Sequence, residues 1–156
     1  MATGNVANYQ GNSAIEVVRG DGVVKVKVYN NTTVLTAYRP YVLVPGWITG
    51  VGAVMVPIAP ATNTVMTSLI GVPQEAIAAS TYGYCVIEGY CKVNVTETIV
   101  ANDNLEVINA GTTFIDEGTN GLTLPGAKVA AVTCDQVESG VWNVWLYGYP
   151  HLVANS

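Results

Sequence analysis

Charge is what this chain has least of. Only 11% of its residues are Asp, Glu, Lys or Arg and the net charge is −5, whereas an average soluble domain carries about 25% charged residues. Apolar and uncharged polar groups must therefore cover much of the exterior. That favours a surface buried in an assembly, with an ordinary β domain of Ser/Thr/Asn-rich surface as the alternative. The cations Arg19, Lys25, Lys27, Arg39, Lys92 and Lys128 are scattered, so no basic patch can neutralise a run of phosphates and nucleic-acid binding is not expected. Histidine is nearly absent, with His151 alone near the C-terminus. A Ser-His-Asp or Cys-His arrangement would have to use it, and no nucleophile elbow accompanies it. The carboxylates at Asp116-Glu117 and at Asp103 and Glu106 fall in turn patterns where acids are usually solvated, while a glycosidase needs two of them facing across a cleft. No phosphate-binding Gly-x-x-x-x-Gly-Lys-Ser/Thr loop is present. The chain thus reads as a non-enzyme with no catalytic residue.

Cysteine is sparse as well. Three thiols cannot all pair within one chain, and on an extended strand Cys85 and Cys91 stand about 20 Å apart at roughly 3.3 Å per residue, beyond disulfide or metal-ligand reach. A turn at Gly89 would bring them closer, but Cys-x₅-Cys matches no compact zinc pattern. The expectation is buried or interfacial thiols, with no metal and no cofactor. A run of about 20 apolar residues is missing too, because Pro40, Pro45, Pro57 and Pro60 break the hydrophobic region over 34–61, so no membrane span is expected. The opening MATGNVANYQGNS is polar and lacks the apolar core of a secretory signal, which points to synthesis in a cytoplasm.

What the chain does have is alternation. After a short strand over 14–18 and the turn signal Gly20-Asp21-Gly22, Val24, Val26 and Val28 alternate with Lys25, Lys27 and Tyr29, the pattern of a half-buried strand. Asn30-Asn31 can take positive-φ turn positions, which predicts a return strand over 32–37 and a hairpin. The sequons at Asn30, Asn31 and Asn94 read as turn and strand residues, since no export signal accompanies them. Short strands follow at 41–44 and 53–56. Trp47, just after Pro45-Gly46, reads as a loop residue that either plugs the end of a barrel or sandwich or anchors an interface.

Residues 71–95, GVPQEAIAASTYGYCVIEGYCKVNV, carry the clearest strand signal. A segment with room for one short helix near 73–79 leads into a strand in which Tyr82, Tyr84, Val86 and Glu88 line one side and Gly83, Cys85 and Ile87 the other. Gly89 interrupts it as a bulge, a bend or a close backbone approach. Beyond it Cys91, Val93 and Val95 oppose Tyr90, Lys92 and Asn94. Further strands are read at 96–100, 105–108 and 140–147, where Trp142, Val144 and Leu146 alternate with Asn143, Trp145 and Tyr147, and a loop over 117–126 precedes an alanine-rich run over 127–132. The total is about nine to eleven short strands.

The runs AIAASTYGYCVIEGY, IVANDNLEVINAG and AAVTCDQVESGVWNVWLYG, in that order, resemble the small all-β capsid decoration (cement) proteins of tailed bacteriophages. In that family an Ala-Ile-Ala-Ala-Gly-type segment precedes Gly-aromatic-Val-x-Val-x-Gly, a Gly-Asp-x-Leu turn follows, and a Trp-x-Val-x-Leu strand ends the domain. The resemblance covers residues 69–148. Three positions depart from the pattern: Ser80 stands where glycine is usual, Cys85 sits within the strand, and Asn102 takes the glycine place before Asp103.

The expected fold is all-β, an antiparallel β-barrel or β-sandwich, β-tulip-like, with at most one short helix. A polar N-terminal arm over 1–13 precedes a single β domain over 14–156. The resemblance implies a virion protein on the outer capsid surface, made in the host cytoplasm, that binds the major capsid protein and clamps neighbouring subunits. It also implies self-association as a homotrimer. A second reading is a receptor- or carbohydrate-binding β-module of a phage fibre or a lectin-like protein, in which exposed Tyr and Trp stack on sugars. Interface candidates are Trp47, Tyr82, Tyr84, Trp145 and Tyr147, while Trp142 is assigned to the core on the opposite parity from Trp145.

Overall fold

The structure, a computed structural model, describes residues 16–59, 69–96, 104–107, 112–116, 126–129 and 140–148. The expected arm over 1–13, His151, Asp103, Glu117 and most of the strand read at 96–100 lie outside these residues, and of the side chains of Glu106 and Asp116 nothing is described.

The described residues form ten strands: β1 (Val17–Gly20), β2 (Val23–Asn30), β3 (Tyr41–Ile48), β4 (Gly52–Ile58), β5 (Leu69–Pro73), β6 (Thr81–Val95), β7 (Asn104–Val107), β8 (Phe114–Asp116), β9 (Gly126–Val129) and β10 (Gly140–Tyr147). The described residues contain no helix. Hydrogen-bonded neighbours run β10-β9-β7-β8-β6-β5-β3-β4, with β2 between β1 and β6, and β10 also paired to β6. All pairings are antiparallel except one parallel bridge, Val95 to Phe114. Of the two architectures expected, the fold is consistent with the sandwich: β6, β8, β7, β9 and β10 pair in a ring, but the sheet as a whole is not closed into a barrel. Its two layers meet where β4 lies against β2 without pairing to it.

Local chemistry explains most of these elements. Asp21 and Gly22 both have positive φ, 54° and 76°, the two-residue turn whose twist matches that of the strands it joins, here β1 and β2. Along β2, Val26 and Val28 are buried while Lys25, Lys27 and Tyr29 are half-buried. Along β6, Cys85, Ile87, Cys91, Val93 and Val95 are buried, whereas Tyr82, Tyr84, Glu88, Tyr90 and Lys92 on the other parity are exposed. Val86 is the exception on that outward parity: it is buried, directly opposite Val72 of β5.

Gly89 does not end the strand. β6 runs on through it with φ 107°, because a Cβ there would overlap the carbonyl of Gly22. The pairing with β2 slips beside it, Val24 facing Glu88 and Lys25 facing Val86, so Ile87 is the extra residue of a bulge. Both features let one 15-residue strand serve β2 along one part of its length and β10 along the other.

Two sequence expectations need correction, and the room left for at most one short helix goes unused. Residues 32–37 form no return strand, because β2 is already flanked by β1 and β6; only Leu35 bridges, to Ile77. The segment near 73–79 is no helix. It holds that bridge and ends at Ser80, whose φ of 58° is left-handed, the conformation that favours glycine where the resembling family has one. Trp47 belongs to β3 rather than to a loop and is 73% exposed, so it plugs nothing. Pro45 is tolerated within β3 because that strand pairs with β5 only at Tyr41, Val42 and Leu43, which leaves no ladder bond for the missing N–H to break on that side.

The buried side chains form two main clusters. One contains Val42, Ile70, Val72, Val93, Phe114, Val144 and Leu146, with Trp142 partly buried against it. The other joins Val26 and Val28 of β2, Leu43 of β3, Met55 of β4 and Cys85 and Ile87 of β6, with Leu35 and Ile77 from the bridge. The buried polar residue Asn30 ties the bridge segment down. Its amide donates to the carbonyls of Thr33, Ile77 and Ala78 at 2.6, 3.0 and 3.2 Å, and its Oδ1 accepts from the N–H and the hydroxyl of Thr32 at 3.0 Å each.

Candidate functional site

The outward face of β6 joins residues of β2 and β10, with Glu16 just before β1, into two aromatic patches. Directly opposed residues of antiparallel strands project to the same side, so the strand register decides which rings meet. In the first patch Tyr82 faces Tyr29 of β2, and the rings contact edge to face at 5.0 Å between centroids. Lys27, opposite Tyr84, lays its Nζ 4.9 Å from the Tyr82 ring centroid. Glu16, just before β1, accepts from the Tyr84 hydroxyl at 3.4 Å and pairs with Lys27 at 3.6 Å. The backbone aligns this row, since Lys27 N–H donates to the Glu16 carbonyl at 2.8 Å. Exposure keeps the ion pair weak in water, and its structural role is to hold the two rings in place.

Beside Tyr84 opens a shallow cavity of about 230 Å³ lined by Lys25, Gln74, Glu75, Tyr84 and Val86. Gln74 is committed elsewhere: its amide donates to the Lys92 carbonyl and its Oε1 accepts from the Lys92 N–H, both at 2.9 Å, the exchange a neighbouring strand would make.

The second patch lies further along β6. Tyr90 faces Trp145 of β10, and both are exposed, at 51% and 43%. Glu88 faces Tyr147, Lys92 faces Asn143 and Asn94 faces the exposed Val141. Val144 and Leu146 of β10 are fully buried on the opposite parity and Trp142 partly so, as the alternation predicts.

Of the five interface candidates, the structure therefore joins Tyr82 with Tyr84 and Trp145 with Tyr147, in neighbouring patches of one face. Trp47 stands apart, opposite Ala53 on a strand that pairs with neither β2, β6 nor β10. Sequence reasoning missed Glu16, Lys27, Tyr29, Tyr90 and the cavity residues Lys25 and Glu75. The parity of Tyr90 was readable; its partnership with Trp145 needed the register between strands far apart in the chain.

Behind the face, Cys85 and Cys91 are free thiols, and burial pushes both up to about 12, so they stay protonated and unreactive. Among the described residues no group of three or more His, Cys, Asp or Glu side chains could hold a metal ion.

No family model matches the chain, and no curated protein matches its sequence. Among solved structures it is similar to the N base of the head fiber protein gp8.5 of bacteriophage phi29, at 13% sequence identity and a TM-score of 0.53, over 83% of this chain and 98% of that one. At this identity the likeness is one of fold.

Proposed function

We propose that this protein is a structural component of a phage head, seated on the outer capsid surface, where it clamps neighbouring major capsid subunits. The observation that carries the reading is the fold, which matches nearly the whole length of a head fiber base. The order of the three motif runs, which resemble capsid decoration proteins, supports it independently. So does the chemistry of the surface. A low charge content and an aromatic sheet face suit burial against protein, and the scattered cations give no grip on packaged DNA. The mechanism is mechanical linkage: contacts made only in the assembled shell stabilise that state by mass action, so disassembly must break them. Copies self-associate through the Trp145–Tyr90 patch, with the homotrimer that the resemblance implies as the expected number. No catalysis and no metal enter this role.

The test is co-sedimentation of the purified protein with heads from the phage that carries its gene. Saturable binding and heads that resist heat or chelation better when decorated are the expected result. Protein that stays in the supernatant at micromolar concentration overturns the proposal.

A further inference from the structure

We infer that the Tyr82–Tyr84 patch, with the cavity beside it, is a binding site for a neutral oligosaccharide. The charged groups around it balance: Lys27 is paired with Glu16, and the cavity walls carry Lys25 and Glu75. With no net charge to attract a phosphate, a sulfate or an acidic chain, the site suits an uncharged ligand. Tyr82 and Tyr84, 44% and 41% exposed, stand two residues apart on one strand face, about 6.6 Å along it. That spacing sets the Tyr84 ring and the part of the Tyr82 ring that Lys27 and Tyr29 leave open in a row for a chain of sugar rings, whose C–H faces are apolar and whose edges carry hydroxyls.

The rings are already in place. Tyr29 and Lys27 hold Tyr82, and Glu16 holds the Tyr84 hydroxyl, so little side-chain freedom is lost on binding. In the cavity the buried Val86 forms the floor, and Lys25 and Glu75 carry a donor and an acceptor for hydroxyls. The site lies beyond the bulge from Trp145. It is therefore independent of the self-association patch, and the inference does not rest on the capsid reading.

The experiment titrates the full chain with maltotriose and N-acetylchitotriose by NMR and screens it on an array of neutral and acidic glycans. Expected are retention of at least one neutral glycan, shifts of the Tyr82 and Tyr84 ring signals, and binding weakened tenfold or more by Tyr84→Ala. Glu75→Gln, at an exposed position that the fold does not need, should weaken binding severalfold while the thermal midpoint stays unchanged; this keeps the test decisive if Tyr84→Ala fails to fold. Trp145→Ala should leave glycan binding intact. Absence of any neutral-glycan binding at millimolar concentration, preference for acidic glycans, or binding insensitive to Glu75→Gln and Tyr84→Ala overturns the inference. Failure of capsid co-sedimentation leaves it untouched, so the two readings fall separately.

Discussion

Asn30 offers the sharpest test of how the two loops beside β2 are held. Replacing it with Ala removes donation to three carbonyls, shared between the two amide hydrogens, and two accepted hydrogen bonds; a full hydrogen bond contributes about 1 kcal/mol net in a typical case. The sum overstates the loss. Only the bond to Ile77 is fully buried, and the Ile77 carbonyl keeps a second donor, the Leu35 N–H at 2.9 Å, so it is not orphaned. Water can reach the remainder. The expected loss is therefore about 2 to 4 kcal/mol, read from urea melts followed by tryptophan fluorescence. Asn30→Asp adds a pH signature. An ionised carboxylate in this buried site would face three carbonyl oxygens, so its folded pKa must rise above the unfolded value of about 3.9. A raised acid pKa means that the variant's stability is retained at low pH, with the acid protonated, and falls as pH rises above about 4. A loss under about 1 kcal/mol for Asn30→Ala, or an Asp variant whose stability relative to wild type does not change between pH 3 and pH 7, would refute the reasoning.

Other outcomes follow from single observations. Ser80→Gly should stabilise the fold by about 0.5 to 1 kcal/mol, because the left-handed φ of 58° penalises a side chain while the Ser80 N–H bond to Asn30 is kept; a destabilised variant in the same urea melt contradicts it. Gly89→Ala should cost about 3 kcal/mol or more, through its positive φ and its overlap with the Gly22 carbonyl, and a near-native melt would rule that out. In a Cys134→Ser background, Cys85 and Cys91 should resist a thiol-directed disulfide reagent at pH 8 until guanidinium is added. Because burial lifts the folded thiols to about 12 from an ordinary value of 9.0, the unfolded chain ionises first, so stability should hold below pH 9 and fall progressively as pH rises toward 12. Native protein that labels as fast as unfolded protein would contradict this. Trp145→Ala should weaken self-association by roughly 2 kcal/mol and leave the melt nearly unchanged, whereas Trp142→Ala, only partly buried, should lower stability by about 2 to 3 kcal/mol, below the range for a fully buried ring. Sedimentation equilibrium and urea melts separate the two, and the opposite pattern would reverse their roles.

The alternation in the sequence was enough to sort the residues of β2, β6 and β10 into two faces, because side-chain direction in a strand is a local property with period two, whereas which face of β6 turns inward was decided by the layers packed on it. It also located the β1–β2 turn, through residues that tolerate positive φ. Val86 escaped the rule because its burial depends on β5, which local alternation does not reveal. The hairpin expected after Asn30 failed for the same reason: Asn30 can turn a chain, but whether a return strand forms depends on which neighbour occupies the sheet edge, and β6, about fifty residues on, is that neighbour. Trp47 was read as a loop residue because Pro and Gly usually break strands, whereas an edge without a ladder bond at Pro45 removes the penalty. The candidate site divides along the same line. Tyr82, Tyr84, Trp145 and Tyr147 were legible as rings on strand faces, yet their grouping with Glu16, Lys27, Tyr29 and Tyr90 was settled only by register between strands distant in the chain, since side chains meet across a sheet according to pairing rather than sequence distance.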